Sequence, residues 1–415
     1  MNSKYINRII EKNIKELLES IGAINIVGPK FCGKTCVSEF FAKSFYYMQE
    51  QDIKNRDILE FNPSFILEGE KPRLIDEWQI TPKIWDLVRF WVDKKNEQGL
   101  FILTGSVNID RKNISHSGAG RILQIEMSTM SLFESNESDG KVSLTDLFDK
   151  KNINQNMSKL NIKDISFFMC RGGWPSLISN NKIKYENILK SYLDSIILQN
   201  GEFILNFSAK QETLKNLIKS FARNNGSQIK STTILKDIKN EISRNTLSGY
   251  INYLENIYLI NNLNVWNTNN YRSKSKLLTT PKTYFCDPSI GLYSLGINPN
   301  NIFNDLKTFG IFFENLVIRD LKVYAQAIDG QVFFYRDENG FEIDAIIELR
   351  DGRWAAFEIK LGNSEIDKAS KNLIKFKNKI NHNNPPVFLA VISGSEFCYQ
   401  RDDGVFVIPI QCLKH

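Results

Sequence analysis

One glycine-rich motif constrains this chain of 415 residues more than any other feature. The motif runs from Gly28 to Thr35 as GPKFCGKT and fits the pattern GxxxxGK[ST]. It follows a short apolar run, residues 23–27, and precedes a segment with helical spacing. A strand that ends in such a loop and continues into a helix is the arrangement that binds nucleotide phosphates. The sequence therefore predicts a P-loop domain built on a parallel sheet.

Each part of this motif has a chemical reason. Glycine lets backbone N–H groups turn toward phosphate oxygens without a Cβ in the way. Lys34 supplies a positive charge to the β- and γ-phosphates, and the Thr35 hydroxyl is a suitable ligand for Mg²⁺. We therefore expect ATP and Mg²⁺ to bind here. The predicted nucleotide-binding residues are Gly28, Pro29, Lys30, Phe31, Cys32, Gly33, Lys34, Thr35 and Cys36.

An acidic pair, Asp76-Glu77, directly follows the aliphatic residues Leu74 and Ile75. Two acids at the end of a short apolar strand are typical of a Walker B element. Asp76 would hold Mg²⁺ through water, together with Thr35. Glu77 would polarise the attacking water, which favours hydrolysis of ATP over binding alone. The pattern is weak by itself, and the phosphate loop upstream is what favours this interpretation.

Small hydroxyl side chains end a further buried-strand run, FILTGS. In a parallel sheet this end of the strand lies beside the γ-phosphate, so Thr104 and Ser106 are candidates to sense it. The Thr-Gly-Ser sequence is equally compatible with an ordinary turn. Arg121 is a candidate to stabilise the charge of the γ-phosphate, either within its own chain or from a neighbouring subunit.

Hydrophobic periodicity predicts the other elements of the N-terminal part. Helical spacing covers residues 5–21, 35–48 and 82–91. Short strand-like runs lie at residues 58–61, 74–75 and 100–103. Strands that alternate with helices predict a parallel sheet with crossover connections. Residues 134–160 are polar and predict a loop, and a second helical region begins around residues 167–178.

Positive charge is concentrated in residues 208–280, which carry eleven Lys and Arg against four acidic residues. This excess accounts for the whole formal net charge of +6. Three helix-like stretches and two strand-like runs that flank a basic loop occur here, which is the layout of a winged helix. Such a domain favours double-stranded DNA as a partner, although a solvated face or a protein-binding winged helix fits too. The candidate DNA contacts are Arg244, Asn245, Arg272, Lys274 and Lys276.

A predicted β-hairpin in the C-terminal part carries three functional side chains. Asp344 lies in a strand-like run, and Asp351-Gly352 is typical of a hairpin turn. On the return strand Glu358 and Lys360 share one face, because they are two residues apart. The hairpin can therefore bring Asp344 beside Glu358 and Lys360.

A third acidic residue precedes this hairpin on a predicted helix. Glu314 lies on an apolar helix face, where a carboxylate is costly unless it has a partner. A Glu on a helix, an Asp on one strand and Glu-x-Lys on the next have the spacing of a PD-(D/E)xK nuclease site, in which carboxylates hold Mg²⁺. The proline of that motif is absent, since Ile343 precedes Asp344. The candidate site is Glu314, Asp344, Glu358 and Lys360, and a surface ladder of charges is the alternative.

The motifs GPKFCGKT, LIDEWQ, FILTGS, GRI, GGWP and FFEN…EID…FEIK occur in this order along the chain. Together they resemble the prokaryotic AAA-type ATPases that carry a C-terminal restriction-endonuclease-like domain of unknown function. The resemblance implies an AAA-like core, a helical lid, a winged helix and a nuclease-like domain. It places ATP at Gly28, Gly33, Lys34 and Thr35, the Walker B acids at Asp76 and Glu77, and a metal at the four C-terminal candidates.

Composition limits the cellular setting. Six scattered Cys without a CxxC pair and only three His argue against a disulfide framework or a zinc site. No apolar run approaches the length of a membrane helix, and the N-terminus has no signal-peptide pattern. We therefore expect a cytoplasmic protein without a membrane partner.

The fold class predicted for the whole chain is multidomain α/β. The expected units are an N-terminal helix (1–22), a P-loop AAA-like core (23–133), a helical lid (134–206), a winged helix (207–280) and a restriction-endonuclease-like domain (281–415). The expected function is a Mg²⁺-dependent ATPase whose nucleotide state controls a DNA-binding, nuclease-like C-terminal half. A nucleotide-dependent protein-interaction switch and a DNA-binding regulator with an inactive nuclease-like domain are the alternatives. The sequence does not determine whether the nuclease-like site cleaves DNA. It also leaves the oligomeric state open, and a homo-oligomer is one of the options.

Overall fold

The computed structural model describes nine stretches of the chain. They are residues 5–50, 63–108, 116–151, 153–180, 182–198, 211–239, 242–266, 279–380 and 384–415. The strand predicted at 58–61 lies outside these residues, as do three of the candidate DNA contacts, Arg272, Lys274 and Lys276.

A five-stranded parallel sheet forms the N-terminal part, and its strand order is β2-β3-β4-β1-β5. Its strands are β1 (Ala23–Val27), β2 (Ser44–Tyr47), β3 (Arg73–Asp76), β4 (Phe101–Gly105) and β5 (Ile122–Glu126). Three of them, β1, β3 and β4, are buried along their whole length, as expected when helices cover both faces of a parallel sheet. Strand β4 lies between β1 and β3, so the loops after these three strands meet at one edge.

Helices α1 (Glu11–Ser20), α2 (Lys34–Phe41) and α3 (Lys83–Lys95) accompany this sheet. The helix expected over residues 5–21 is therefore too long. Its described N-terminal residues stay outside the helix, where Arg8 and Ile9 bond to Glu134. The helix expected over 35–48 is also wrong in its second half. Residues of β2 have the aromatic character of a strand and pair in parallel with β3.

The next segment contains short strands and helices rather than the loop expected over residues 134–160. Its strands extend sheets elsewhere: β6 pairs with the last strand of the chain, and β7 forms the edge of the C-terminal sheet. The glycines of Gly172-Gly173 divide the predicted helix around 167–178 in two. The elements are β6 (Val142–Ser143), α4 (Leu144–Phe148), β7 (Asn156–Met157), α5 (Ile162–Arg171), α6 (Pro175–Ser179) and α7 (Tyr185–Leu198).

Three helices and an antiparallel hairpin follow in the order expected from the sequence. The elements are α8 (Gln211–Arg223), α9 (Ser231–Asp237), α10 (Arg244–Asn256), β8 (Ile260–Leu263) and β9 (Lys282–Phe285). Ser243 caps α10 by accepting a hydrogen bond from the Thr246 N–H, as expected for an N-cap serine. The second hairpin strand lies beyond residue 280, and the short helix α11 (Pro288–Ser294) follows it. Whether this unit functions as a winged helix stays a prediction.

A long helix and a mixed sheet form the C-terminal part. The sheet order is β10-β11-β12-β13-β15-β14-β7, with β10, β11 and β12 antiparallel and β12, β13 and β15 parallel. Its elements are α12 (Leu306–Ala327), β10 (Gly330–Arg336), β11 (Glu342–Leu349), β12 (Trp354–Lys360), α13 (Ile366–Lys379), β13 (Leu389–Ser393), β14 (Phe397–Gln400), β15 (Phe406–Pro409) and β16 (Leu413–Lys414). The predicted hairpin is thus β11 and β12.

A continuous apolar core joins the parts downstream of the ATPase-like sheet. It extends from Leu132 through α5 to α12 and into the C-terminal sheet. Two smaller clusters fill the two faces of the N-terminal sheet. Within the described residues, no helix has the length and apolar character needed to cross a membrane.

The GGWP segment lies at the junction between the N-terminal and C-terminal parts. The Met130 N–H donates to the Gly173 carbonyl at 2.7 Å, and the Gly173 N–H donates to Asp287 Oδ2 at 2.9 Å. A Cβ added at Gly173 would lie 2.1 Å from the Met130 carbonyl oxygen and 2.9 Å from Arg319 Nη1. Only glycine allows this approach of one backbone to another.

We predict that Gly173→Ala destabilises the fold by about 1–3 kcal/mol, because the added methyl group overpacks a junction made of backbone atoms. Gly310→Ala is the matched control. Gly310 lies in α12 with open space around its Cβ position, so alanine there should be neutral or stabilise by up to about 1 kcal/mol. Urea unfolding followed by circular dichroism measures both. Equal midpoints for Gly173→Ala and the wild type would contradict the packing argument.

Candidate functional site

The phosphate loop connects β1 to α2 and is shaped by its glycines. Gly28 and Gly33 have φ angles of 149° and 100°, which glycine adopts without strain. The Lys34 ammonium is buried and donates to the Gly28 and Pro29 carbonyls at 3.0 and 2.9 Å. Lys34 therefore points back over the loop, where a phosphate group would sit.

Asp76 and Glu77, the acids predicted to form a Walker B element, lie beside this loop. Thr35 Oγ1 donates to Asp76 Oδ1 at 2.8 Å, and Thr104 Oγ1 donates to the same oxygen at 2.5 Å. The Ser106 hydroxyl donates to Glu77 Oε2 at 2.8 Å, and the Glu77 N–H donates to Thr104 Oγ1. The ends of α2, β3 and β4 thus bring together five residues that were predicted separately from the sequence.

Burial raises the pKa of Asp76, and the hydroxyl groups of Thr104 and Thr35 offset part of this rise by donating to the carboxylate. Glu77 adds to the rise through its negative charge. A buried carboxylate and a threonine hydroxyl that already share a hydrogen bond are oxygen donors of the kind that Mg²⁺ prefers. Thr35 and Asp76 therefore fit a magnesium ion.

Arg121 is not part of this constellation. It precedes β5 at the edge of the sheet opposite the phosphate loop, where its carbonyl accepts from the Ala23 N–H at the start of β1. Its guanidinium pairs with Asp93 of α3 at 2.6 Å. The expectation that Arg121 acts on the γ-phosphate within its own chain is therefore wrong, because the length of the sheet separates the two. A role toward a neighbouring subunit stays a prediction.

A different arginine contacts the phosphate loop, and the sequence did not reveal it. Arg8 Nη1 donates to the Cys32 carbonyl at 2.7 Å, and its Nη2 donates to the Ser128 carbonyl at 2.9 Å. Arg8 Nε pairs with the buried Glu134 at 3.0 Å. Arg8 thereby ties the loop to the segment that leaves β5. Nothing in the sequence singles Arg8 out, because Lys4, Glu11 and Lys12 are charged residues close to it.

A buried polar cluster, hereafter the polar hub, links the GGWP segment to helix α12. Arg319 forms ion pairs with Asp287 at 3.0 Å and Asp320 at 2.7 Å. Asp287 also accepts from the hydroxyl groups of Thr129 and Ser289, and the Leu132 N–H donates to Asp320. The members are Thr129, Gly173, Asp287, Ser289, Arg319 and Asp320. These hydrogen bonds satisfy charges that would otherwise be costly inside a protein.

The C-terminal candidates also come together, and they have an additional partner. Lys360 Nζ contacts Asp344 at 2.8 Å and Glu358 at 2.7 Å. Glu314 instead pairs with Lys282 of β9 at 3.1 Å, and the same ammonium contacts Glu342 at 2.6 Å. We call the four carboxylates Glu314, Glu342, Asp344 and Glu358 the acidic centre.

The pKa values of the two carboxyl groups that contact Lys360 are shifted in opposite directions. Burial and the charge of Asp344 raise the pKa of Glu358 to about 8, although Lys360 and Asn372 act in the opposite direction. Burial also acts to raise the pKa of Asp344, but Lys360, Lys282 and the Ile359 N–H outweigh it, so the pKa of Asp344 is lowered. The Asp344 carboxyl group therefore favours its ionised form, while Glu358 keeps its proton to a higher pH than an ordinary glutamate.

The acidic centre does not fit a divalent cation in this arrangement. Asp344 Oδ2 and Glu314 Oε1 are each bonded to a lysine ammonium group, and the Ile359 N–H and the Tyr284 hydroxyl donate to the same two oxygens. Within the described stretches, no group of three or more His, Cys, Asp or Glu side chains is arranged to hold a metal. The sequence missed Lys282, Tyr284 and Asn372, because they reach the centre from elements distant in the chain.

Comparison with known families divides the chain into three matched regions. Residues 21–136 match the model of an AAA domain. Residues 162–301 and 309–413 each match a domain of unknown function, DUF8612 and DUF4143 respectively. Together with the phosphate loop and the acidic pair, the first match supports a P-loop ATPase domain of the AAA type in the N-terminal part. The description of the C-terminal match contains no reference to a restriction endonuclease.

Similar proteins occur in distant organisms. An uncharacterized protein of Methanocaldococcus jannaschii is 26% identical over 395 residues, covering 90% of this chain and 82% of that protein. An uncharacterized protein of Haemophilus influenzae is 26% identical over 231 residues, covering 51% and 56%. A Walker-type ATPase of Pyrococcus abyssi is a structural neighbour with 12% identity and a TM-score of 0.42, covering 71% of this chain and 97% of its own.

The raised pKa of Glu358 predicts a pH dependence of stability. Because its pKa is raised in the folded state, the folded protein keeps a proton that the unfolded chain releases. The free energy of unfolding should therefore fall as the pH rises from about 5 to about 8, and this contribution should level off above that range.

Glu358→Gln keeps a neutral side chain at all pH values and should reduce this slope. Glu365→Gln, at an exposed glutamate, is the matched control and should leave the slope as in the wild type. Urea unfolding at three pH values across this range measures the effect. A slope that is the same with and without the Glu358 carboxyl group would refute its assignment as the raised acid.

Proposed function

We propose that this chain is a Mg²⁺-dependent ATPase whose nucleotide state acts on a DNA-binding C-terminal half. The observation that carries the proposal is the hydrogen-bonded set Thr35, Asp76, Thr104, Glu77 and Ser106 at the mouth of the phosphate loop. Nucleotide binding alone does not require the second acid. A carboxylate oriented by a serine hydroxyl beside the phosphate site is suited to positioning a water molecule.

In this proposal each residue has a separate role. The amides of the phosphate loop and Lys34 bind the β- and γ-phosphates, and Lys34 exchanges its bonds to the loop carbonyls for bonds to phosphate. Thr35 and Asp76 hold Mg²⁺, which neutralises phosphate charge when bound. Glu77 orients the attacking water and accepts its proton, while Ser106 holds the Glu77 carboxylate in place. Thr104 fixes Asp76 and the Glu77 backbone together.

The route from this site to the rest of the chain is short. A Cβ at Gly33 would lie 3.4 Å from Pro175 Cγ, so the loop and the GGWP segment are nearly in contact. Gly173, two residues before Pro175, donates to Asp287 of the polar hub. Asp287 is paired with Arg319 of α12. A shift of the phosphate loop on nucleotide binding would therefore press on the segment that anchors α12.

The DNA-binding part of the proposal rests on the exposed face of α9 and α10. Arg244 and Asn245 lie in the first turn of α10 and are exposed, and Lys230 and Lys236 are exposed nearby in the chain. Cations with freely solvated ends can neutralise phosphates of a duplex. Arg244 and Asn245 can also reach base edges, where arginine and asparagine form bidentate contacts.

The C-terminal sheet supports a nuclease-like fold without requiring a nuclease. Helix α12 carries Glu314 and precedes the β10–β12 meander, while Asp344, Glu358 and Lys360 lie on the antiparallel strands β11 and β12. Glu314 Oε1 and Asp344 Oδ2 are each bonded to a lysine ammonium group. This favours a DNA-binding regulator with an inactive nuclease-like domain over a cleaving enzyme.

We predict that Lys34→Ala abolishes ATP binding, while Glu77→Gln binds ATP but lowers its turnover at least about 100-fold, as expected for loss of a general base. Lys43→Ala is the control, since Lys43 is exposed just after α2. Calorimetric titration with ATP and Mg²⁺ measures binding, and phosphate release measures turnover. Normal ATP affinity in Lys34→Ala would refute the phosphate-loop assignment, and normal turnover in Glu77→Gln would remove Glu77 from its role.

We predict that the chain binds duplex DNA with an affinity that falls steeply as salt increases. Arg244→Ala should weaken binding and reduce the slope of log K against log salt by about 1, because one phosphate contact is lost. Lys368→Ala, at an exposed lysine of α13, should change neither quantity. Fluorescence anisotropy with a labelled duplex measures both. No binding even at low salt would favour the protein-interaction switch instead.

A further inference from the structure

The acidic centre receives a side chain from another region of the chain. Lys282 belongs to the region matched over residues 162–301, whereas the carboxylates that surround it belong to the region matched over 309–413. Its side chain is 5% exposed, which is rare for lysine unless the charge is fully paired. Strand β9 therefore inserts a buried cation into the neighbouring domain.

The Lys282 ammonium contacts the carboxylates of the acidic centre in the way that a bound cation would. Its ammonium contacts Glu314 Oε1 at 3.1 Å and Glu342 Oε1 at 2.6 Å. Burial alone would lower the pKa of Lys282, but Glu314, Asp344 and Glu342 together raise it, so the lysine is charged. Two residues further along β9, Tyr284 donates its hydroxyl to the same Glu314 oxygen at 2.6 Å. Alternate residues of a strand share a face, so Lys282 and Tyr284 reach Glu314 together.

Asp344 and Glu358 of the acidic centre also have partners from this chain. Lys360 pairs with Asp344 and Glu358, and Asn372 of α13 donates to Glu358 at 2.5 Å. Each carboxylate that the nuclease motif would offer to a metal thus has an internal cation or donor. The positive charge that a metal ion would supply is already present in two ammonium groups.

We infer that the acidic centre is a docking site for strand β9, in which Lys282 takes the place of a divalent cation and Tyr284 completes the contact with Glu314. The centre then serves to fasten the hairpin of β8 and β9 to the C-terminal sheet. With the two ammonium groups in place, we expect it to take up neither Mg²⁺ nor Mn²⁺. This inference concerns the C-terminal centre alone and does not depend on hydrolysis of ATP or on DNA binding.

The same strand continues into the polar hub. Lys282 and Asp287 are five positions apart, and Asp287 accepts the N–H of Gly173 in the GGWP segment. One strand therefore carries at its start the lysine that fills the acidic centre and, just past its end, the aspartate that holds the GGWP segment. The backbone from Lys282 to Asp287 therefore joins the acidic centre directly to the polar hub.

Metal uptake by the full chain tests the inference directly. Mn²⁺ is titrated calorimetrically, without nucleotide, into the wild type and into Asp344→Asn. Any weak binding at Thr35 and Asp76 is common to both proteins and cancels. We expect superimposable titrations. A site in the wild type that Asp344→Asn lacks would overturn the inference, because a divalent cation would then compete successfully with the lysines.

A double-mutant cycle tests the docking contact without metal. Lys282→Met and Glu314→Gln should each lower the urea midpoint, since each removes the ionic partner at 3.1 Å from a buried charge. The double variant should lose clearly less than the sum of the two single losses. Lys307→Met, the same change at an exposed lysine of α12, should leave the midpoint unchanged. Strictly additive losses would contradict a direct bond between Lys282 and Glu314.

Discussion

The contact between Gly28 and the end of the neighbouring strand governs the phosphate loop. A Cβ at Gly28 would lie 2.1 Å from the Met127 carbonyl oxygen, so only glycine lets the loop leave β1 so close to the segment after β5. Arg8 fastens the far side of the loop through the Cys32 carbonyl. The loop is therefore shaped by the backbone and by one buried arginine.

The polar hub explains how the N-terminal domain and the C-terminal half form one structure. Burying Arg319 with two aspartates is costly, and it is tolerated because backbone N–H groups and hydroxyl groups complete the hydrogen bonding. Such a cluster is directional, unlike an apolar core, so it holds GGWP, Asp287 and α12 in one register. The acidic centre repeats this principle one and a half turns earlier on α12, where Glu314 meets Lys282.

Local patterns predicted the elements whose residues act close together in the chain. The phosphate loop, the acidic pair and the β11–β12 hairpin were predictable because glycine, periodicity and turn residues determine them within a few positions. The helix expected over 35–48 was wrong only in its second half, where pairing with β3 outweighed helical spacing at Ser44–Tyr47. Arg121 was misplaced because its motif gave no information about which edge of the sheet it occupies.

The site residues that the sequence analysis did not identify share one property. Each contacts a partner that lies far from it in the sequence. Arg8 meets Glu134, and Lys282 meets Glu342, through contacts that only the assembled fold creates. The sequence did indicate that Glu314 needs a partner, because a carboxylate on an apolar helix face is costly. It could not indicate that this partner is a lysine of a distant strand rather than a metal ion.

A crystal structure with Mg²⁺ and a nonhydrolysable ATP analogue tests the central claim most directly. The account predicts triphosphate density inside the loop after β1, with Lys34 turned from the Gly28 and Pro29 carbonyls to the phosphates and Mg²⁺ next to Thr35. A loop in which Lys34 keeps its carbonyl partners while the analogue binds elsewhere, or does not bind at millimolar concentration, would contradict it.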